Sequence, residues 1–283
     1  MHPTTTDLAA LLDAVAALGW AARYDEALAL LDATLPTDDA DRLSLLMARA
    51  EVVGRRDYTR GVRSGADHPL DLATGLAREL STSPTVSWDL AMLHLRRWYA
   101  DQLVDGLGPA GRDLSLVARM SAEAARLRDT APDEGRRGWA CMCLGWFADN
   151  LVGDRGEAPR HYAEALALGR RVDDPLLVFE AQRHLGDHAH DDGQHAAALA
   201  AWQESAAEAA RGGHVLGVLA QQVLLAVLAR DAGDEAGARA VAGEALRWAE
   251  AVGAVRLAGQ LNALLDGVDP TQPPPTERAG AQN

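Results

Sequence analysis

The stretch LGDHAHDDGQHAAALAAWQESA, residues 185–206, decides the fold of this chain. Gly193 stands near its middle and separates two segments rich in helix-forming residues. Two further glycines, Gly153 and Gly233, lie 40 positions to either side and separate similar segments. A glycine repeated between helices at a fixed period predicts a series of helical hairpins, because each hairpin buries its faces only by stacking on the next.

The residues around the three glycines repeat as well. Seven positions before the second and third glycines stand Gly186 and Ala226. Small or aromatic residues recur five, nine and twelve positions after the glycines: Ala158, Ala198 and Ala238; Tyr162, Trp202 and Ala242; Ala165, Ser205 and Ala245. Residues three, four and seven apart share a helix face, so these positions predict a notched stripe that a neighbouring helix enters.

This pattern resembles the tetratricopeptide repeat family: leucine and a small residue, a turn glycine, then alanine, an aromatic residue and alanine. The segments GDRGEAPRHYAEAL (153–166) and ARYDEALALL (22–31) resemble it too, and Tyr24 stands 34 residues before Tyr58, a spacing common in the family. The resemblance covers residues 134–252 closely and 8–62 loosely, and it is similar to the repeat regions of bacterial regulators. It implies an all-α, right-handed superhelical solenoid of stacked antiparallel helix hairpins.

The sequence departs from the repeat pattern at three places. Gly61 stands where alanine is expected, Trp146 stands where a small residue is expected, and residues 63–112 fit no register. We therefore expect one helical-repeat domain over 1–266 with an irregular insert at about 63–112 and a capping helix at about 254–265. The proline-rich residues 267–283 bury almost nothing and predict a disordered tail.

Capping residues set the expected helix boundaries. Asp174-Pro175 and Thr130-Ala-Pro-Asp mark helix starts, as does Asp67-His-Pro, while Gly212-Gly213 and Gly253 mark helix ends. The expected helices are 7–18, 23–34, 40–54, 69–81, 86–105, 112–129, 134–151, 155–170, 175–191, 195–211, 214–231, 235–252 and 254–265.

Composition excludes several classes of function. The formal net charge is −14, and all 27 basic residues are arginine, a composition typical of a GC-rich bacterial genome. Phosphate contacts need a concentrated basic surface, so we expect no nucleic-acid partner. The arginine pairs at 55–56, 96–97, 136–137 and 170–171 are interpreted as solvated helix faces and helix ends. No signal peptide or membrane span is evident, and two cysteines make no disulfide framework, which predicts a cytoplasmic protein.

In the family that the repeats resemble, the first helix of each hairpin lines a concave groove, and the resemblance implies which residues would face it. Ten candidates for ligand or peptide binding follow: Glu180, Arg183, His184, Asp187, His190, Asp191, Phe147, Asn150, Arg97 and Trp98. Helix 214–231 would add Val223, Leu224, Val227 and Arg230. If the register of helix 134–151 shifts by one, Trp146 and Asp149 would face the groove instead. Such a groove would carry few arginines, and most of the seven tryptophans would lie in the core.

The segment HLGDHAHDDGQH (184–195) is the strongest cluster of chemistry-bearing residues. His184 and His188 are four apart on one helix face and could bind a divalent metal, although a solvated polar stripe explains the same spacing. No metal site is predicted beyond this pair of weak candidates, and no cofactor is predicted. Cys143 could act as a nucleophile beside His184, but a small buried thiol is the simpler interpretation.

Three functions fit the sequence. The first is a protein- or peptide-binding module that acts as an adaptor or regulator through its groove. The second is an enzyme or small-molecule-binding protein with a pocket around residues 94–101, 143–150 and 180–191. The third is a sensory fragment of a larger regulator, although Met1 and the tail favour a complete chain. No catalytic constellation is readable, which favours binding over catalysis. The sequence predicts neither the oligomeric state nor the identity of the partner.

Overall fold

A computed structural model describes residues 7–63, 69–104 and 112–268, and all the regular secondary structure in these ranges is helical. The helices are α1 (Leu8–Trp20), α2 (Tyr24–Asp32), α3 (Asp39–Arg60), α4 (Pro69–Glu79), α5 (Pro84–Val104), α6 (Leu114–Asp129), α7 (Glu134–Trp146), α8 (Ala158–Val172), α9 (Pro175–Asp191), α10 (His195–Arg211), α11 (Val215–Asp231), α12 (Glu235–Ala251) and α13 (Val255–Leu265). A π-helical segment, Phe147–Val152, follows α7. The all-helical class predicted from the sequence is confirmed for these residues.

Local signals in the sequence place most helix boundaries within a few residues. The Asp174 carboxylate accepts hydrogen bonds from the backbone N–H groups of Leu176 and Leu177, so it caps α9 as expected. Asp133 caps α7 in the same way. Helix α3 is the exception, because it continues through Gly54 to Arg60 and ends at Gly61. Beyond Gly54 the helix still buries Asp57 and Thr59, and one interior glycine costs a helix only about 1 kcal/mol.

The turns of the second half of the chain follow a period of 20 residues. The three predicted hairpin glycines, Gly153, Gly193 and Gly233, have positive φ angles of 79°, 73° and 86°. Between and after them, the positive φ recurs at Asp173, Gly213 and Gly253. Left-handed backbone favours glycine, and an aspartate adopts it at some cost. The hairpin turns predicted at the three glycines are therefore confirmed, and the connections between hairpins use the same geometry.

Consecutive helices pack side by side along the chain, and the packing is close where a glycine faces an aromatic ring. A Cβ atom at Gly186 would lie less than 3.0 Å from atoms of Trp202, and one at Gly145 would lie less than 3.0 Å from atoms of Tyr162. Both rings are fully buried. The notched stripe expected from the repeat is thus formed by these glycine–aromatic contacts between α9 and α10 and between α7 and α8.

The π-helical segment adds one residue to the turn before Gly153. The N–H of Asp154 donates to the carbonyl of Ala148, six residues earlier, whereas the N–H of Gln194 donates to Ala189, five residues earlier. The extra residue explains why Trp146 stands where the repeat pattern demands a small residue. Counted across the insertion, Gly145 holds that position, and it faces Tyr162 as Gly186 faces Trp202.

Helices near both ends of the described chain contact helices that are far away in sequence. The rings of Trp20 and His214 lie 4.8 Å apart, and the Arg256 guanidinium stands 4.7 Å from the centroid of the Tyr58 ring. Helix α13 packs on α12, as the predicted capping helix should, and it also contacts α3. We call the Trp20–His214 pair the closing contact, because it joins helix α1 to the start of α11.

The remaining expectations concern the insert, the tail and membranes. Within the expected insert the structure places α4 and α5, while residues 64–68 and 105–111 lie outside the described ranges. Of the expected tail, residues 269–283 also lie outside them. Among the described helices, none combines the length and apolarity that crossing a membrane requires.

Candidate functional site

The helices surround a cavity of about 370 Å³. Its lining comes mainly from α3, α5, α9, α11 and α13, with contributions from α1, α2, α4 and α7. The helices α6, α8, α10 and α12 contribute no lining residue among those that the structure describes. The helices that supply most of the lining are therefore α3, α5, α9, α11 and α13, and α5, α7, α9 and α11 are the first helices of their hairpins. A volume of this size lies within the range typical of small-molecule sites.

Charged side chains from α3, α5 and α9 alternate along the cavity wall. The Arg55 guanidinium forms an ion pair of 2.6 Å with Glu51, and Arg96 approaches the same carboxylate at 3.6 Å. On α9, the Glu180 carboxylate is under the influence of the charges of both Arg183 and Arg96. We call Arg55, Arg96 and Arg183 the arginine cluster. Its three positive charges face two carboxylates, so positive charge is in excess at this part of the wall.

Each member of the arginine cluster has a nitrogen atom without a hydrogen-bond partner among the described residues. These atoms are Nη1 of Arg55, Nε of Arg96 and Nε of Arg183. Within the same part of the chain, no carboxylate oxygen lies within ion-pair distance of Arg183, whose Nη1 approaches Nε2 of His184 at 3.4 Å. Buried guanidinium groups normally have all their donors paired. The unpartnered N–H groups of the cluster are therefore available to hydrogen-bond a ligand.

The surroundings of the two glutamates shift their pKa values in opposite directions. The Arg55 guanidinium lowers the pKa of Glu51, against the effect of burial. Burial raises the pKa of Glu180, and the charge of Arg183 opposes this only in part. Burial also opposes the charge of Arg183, but the carboxylates of Asp187 and Glu180 outweigh it and raise the pKa of the guanidinium. Arg183 therefore stays charged.

Aromatic rings support the arginines on the cavity wall. The Arg55 guanidinium lies 3.4 Å from the centroid of the Trp20 ring, and Arg96 lies 4.6 Å from the centroid of Trp139. Such stacking holds a guanidinium in place without consuming its N–H donors. Tyr99 stacks on Trp146 with the two rings 5.4 Å apart, which extends the flat apolar wall. Three of the tryptophans expected in the core thus line the cavity.

His184 is held as a neutral acceptor at the edge of the cavity. Burial, with a contribution from Arg183, lowers the pKa of His184 well below its usual value. The Trp146 Nε1–H donates to Nε2 of His184 over 3.0 Å, and the Tyr162 ring stacks on the imidazole at 4.6 Å. The extra residue of the π-helical segment gives Trp146 its place on this wall. Of the two residues named for the shifted register, Trp146 lines the cavity and Asp149 does not; of those named for the unshifted register, neither Phe147 nor Asn150 lines it.

Four of the ten sequence-predicted binding residues line the cavity: Glu180, Arg183, His184 and Arg97. The other six lie elsewhere, namely Asp187, His190, Asp191, Phe147, Asn150 and Trp98. Asp187 accepts from Trp202, burial raises its pKa to about 6, and Asp191 pairs with Arg155. His190 contacts Asp231 and Trp202. Phe147 is buried with Trp98 packed against it, and Asn150 donates to the Tyr99 hydroxyl.

On α11, the expected groove residues also differ from the observed ones. Val223, Leu224 and Val227 are buried in clusters between helices, and the cavity is lined instead by residues one to two turns earlier, among them Gly217 and Ala220. Arg230 lies outside the lining as well. The turn of α11 that reaches the cavity is its first, next to the closing contact.

The metal and nucleophile hypotheses gain no support from the geometry. Nε2 of His184 accepts from Trp146, and Nε2 of His188 lies 3.1 Å from the Asp149 carboxylate. No group of three or more potential metal ligands is present in the described residues. Cys143 is fully buried beside Met92, and burial raises the pKa of its thiol to about 11. A thiol in this state is a poor nucleophile.

The sequence analysis missed the N-terminal and C-terminal parts of the site. Five arginines line the cavity, which corrects the expectation of few: Arg55, Arg96, Arg97, Arg183 and Arg256. The interpretation of the pairs 55–56 and 96–97 as solvated faces is wrong for Arg55, Arg96 and Arg97. Alanine and glycine at 50, 54 and 220 leave space along the wall, and this small-residue spacing was the available sequence signal.

Comparison with known proteins adds no relative. No protein-family model matches this chain, and no curated protein matches it significantly.

Proposed function

We propose that this chain is a helical-repeat binding protein that takes a small ligand into its inner cavity and acts as a regulator or adaptor. The observation that carries the proposal is the cavity itself, which is lined by charged and aromatic side chains from helices far apart in the chain. A site that combines apolar walls with a few convergent polar groups is typical of ligand binding.

The closing contact favours a small ligand over a protein surface. An open groove between Trp20 and His214 would admit a long segment of a partner, but the two rings lie 4.8 Å apart. Their contact restricts the occupant to one that the cavity encloses. This is the arrangement that the second sequence-based hypothesis requires, and residues from each of its three predicted ranges, Arg96, Trp146 and Arg183 among them, line the cavity.

A short peptide segment is the second candidate occupant. Four residues expected to bind a peptide, Glu180, Arg183, His184 and Arg97, lie on the cavity wall. A tetratricopeptide-like solenoid remains our proposal for the repeat type, supported by the 20-residue spacing of the turns and the glycine–aromatic contacts. A cytoplasmic location is likewise proposed, supported by two free, buried cysteines.

We propose binding rather than catalysis because the candidate reactive groups are inactive or engaged. Burial raises the pKa values of the Cys141 and Cys143 thiols to about 12 and about 11. The imidazole of His184 is buried between Trp146 and Tyr162. The two thiols are therefore protonated at neutral pH, and the His184 imidazole is already engaged by its neighbours.

The proposal is tested by filling the cavity. Gly54 lines it, and a Cβ atom there meets no other atom within 4 Å, so Gly54→Trp places a ring in empty space. Gly243 lies within α12, outside the lining, and is equally open, which makes Gly243→Trp the matched control. The probe is N-phenyl-1-naphthylamine, an uncharged dye that fluoresces in apolar sites.

We expect one saturable dye site in the wild type and in Gly243→Trp, and about tenfold weaker binding or none in Gly54→Trp, because the new ring occupies space the dye needs. Circular dichroism should show both variants as helical as the wild type. Absence of saturable binding to the wild type, or equal binding by the two variants, would refute a ligand site in this cavity.

A further inference from the structure

The arginine cluster defines the chemistry of the ligand. Resting on the proposed function, we infer that the cavity binds an organic anion: a small molecule with one acidic group, held by Arg55, Arg96 and Arg183, and a flat apolar body against the aromatic wall. The acidic group supplies the acceptor oxygens that the unpartnered guanidinium nitrogens of these residues lack.

The charge of the wall supports an anion. Five arginines and two glutamates line the cavity, in a chain whose formal net charge is −14. Arg97 is neutralised by Asp71 at 3.1 Å, and Glu51 is paired with Arg55. After these pairings the lining still carries Arg96, Arg183 and Arg256 against Glu180, and one more carboxylate, that of Asp187, acts on Arg183 from outside the lining. A locally positive wall in a chain of negative net charge is a feature that a bound anion would explain, because its charge would offset that of the arginines.

The position of the arginines also fits an anion. Arg55, Arg96 and Arg256 stack on the rings of Trp20, Trp139 and Tyr58, so that their orientation is fixed before a ligand arrives. No carboxylate oxygen of the described residues lies within ion-pair distance of Arg183, although Asp187 and Glu180 are close enough to raise its pKa, so the guanidinium stays charged. Guanidinium groups held on rings present planar pairs of N–H donors, which match the geometry of carboxylate and other oxyanion groups.

The apolar body has its own place on the wall. Leu70, Leu93, Phe179 and Leu257 line the cavity together with the stacked pair Tyr99–Trp146. Of these side chains, only Tyr99 and Trp146 carry a polar atom, so the surface is mainly apolar. A fully polar ion, such as inorganic phosphate, would leave this surface uncovered, whereas an aromatic or aliphatic acid covers it.

Two dyes with the same ring system, one charged and one uncharged, distinguish recognition of an anion from binding to the apolar cavity alone. The probe 8-anilinonaphthalene-1-sulfonate carries the same rings as N-phenyl-1-naphthylamine with one sulfonate added. We expect the sulfonate dye to bind the full-length wild type about tenfold more tightly than the uncharged dye, roughly the worth of one charge-assisted hydrogen bond. Arg183→Met should abolish this preference and leave binding of the uncharged dye unchanged. Arg183→Lys, which keeps the charge, should retain most of it.

One surface variant and a second variant of the arginine cluster serve as controls. Arg160→Met removes a surface arginine that pairs with Glu157 and is 76% exposed, so it should bind both dyes as the wild type does. Arg96→Met serves as a second variant of the cluster if Arg183→Met does not fold. The inference of an anionic ligand would be refuted if the wild type bound the two dyes with equal affinity, or if Arg183→Met weakened the binding of both dyes to the same extent. Either result would indicate a site without preference for charge. Binding of neither dye would overturn the proposed function itself.

Discussion

Substitution of Gly186 by alanine tests the packing that the repeat pattern predicts. A Cβ atom at Gly186 would lie less than 3.0 Å from Cδ1 and Nε1 of Trp202, a ring that is fully buried. The ring has no free side toward which to move. Its Nε1–H also donates to the Arg183 carbonyl at 3.1 Å and to the Asp187 carboxylate at 3.0 Å.

The expected destabilisation follows from three contributions. Overpacking a filled core costs about 1–3 kcal/mol. A shift of the indole weakens two hydrogen bonds worth about 1 kcal/mol each. Alanine regains about 1 kcal/mol relative to glycine within a helix. We therefore expect Gly186→Ala to lower the free energy of unfolding by about 2–3 kcal/mol.

The matched control is Gly243→Ala. Gly243 also lies within a helix, but a Cβ atom there meets nothing within 4 Å. Only the helix propensity changes, so the free energy of unfolding should rise by up to about 1 kcal/mol. Urea unfolding followed by circular dichroism at 222 nm measures both variants against the wild type.

A third variant tests the register assigned to the π-helical segment. Gly145→Ala places a Cβ atom against Tyr162 as Gly186→Ala does against Trp202, and it should destabilise to a similar extent. If Gly186→Ala and Gly145→Ala are as stable as Gly243→Ala, the aromatic rings do not pack on these glycines and the reasoning from the repeat fails.

Three further predictions follow from the turns, the closing contact and the thiols. Ala22→Gly should raise the free energy of unfolding by about 1 kcal/mol, because φ at Ala22 is 60°; unchanged or lower stability in urea would contradict this. Burial, with Arg55 nearby, lowers the pKa of His214 from 6.5 to about 3, so its contribution to stability is complete above pH 6.5 and is lost as the pH falls toward 3. Between pH 7.5 and 5 the wild type should therefore lose about 2 kcal/mol relative to His214→Asn, which keeps a cap acceptor; parallel pH profiles in urea unfolding would disprove the burial of His214. Cys141 and Cys143 should stay unreactive toward a thiol reagent in the native protein and react once it is denatured, and native reaction would show that the core around α7 is open.

The helices and turns were predictable because their signals are local. Gly193 adopts a left-handed backbone conformation at its turn, and Asp174 caps α9, which begins at Pro175. A few neighbouring residues therefore determine each helix boundary. The first helices of the hairpins contribute to the cavity wall, and Glu180 and Arg183, which the sequence suggested as binding residues, are among the residues that line it.

The rest of the site depends on contacts that local patterns do not encode. An i to i+5 helical turn has no residue signature, so the sequence left the register of Trp146 open. The contact between Trp20 and His214 joins parts of the chain that are far apart in sequence, so no local pattern encodes it. Arg55 looks like a solvated residue in the sequence because its partner ring, Trp20, comes from another helix.

The closing contact has a consequence for cooperativity. A row of repeats with free ends can lose its terminal units one at a time, because each end has a neighbour on one side only. Here Trp20 contacts His214 and α13 contacts α3, so each end of the chain rests on a distant helix as well as on its neighbour in sequence. Detaching α1 exposes the start of α11. Loss of either end thus weakens the other, and native-state hydrogen exchange should find the two ends opening together.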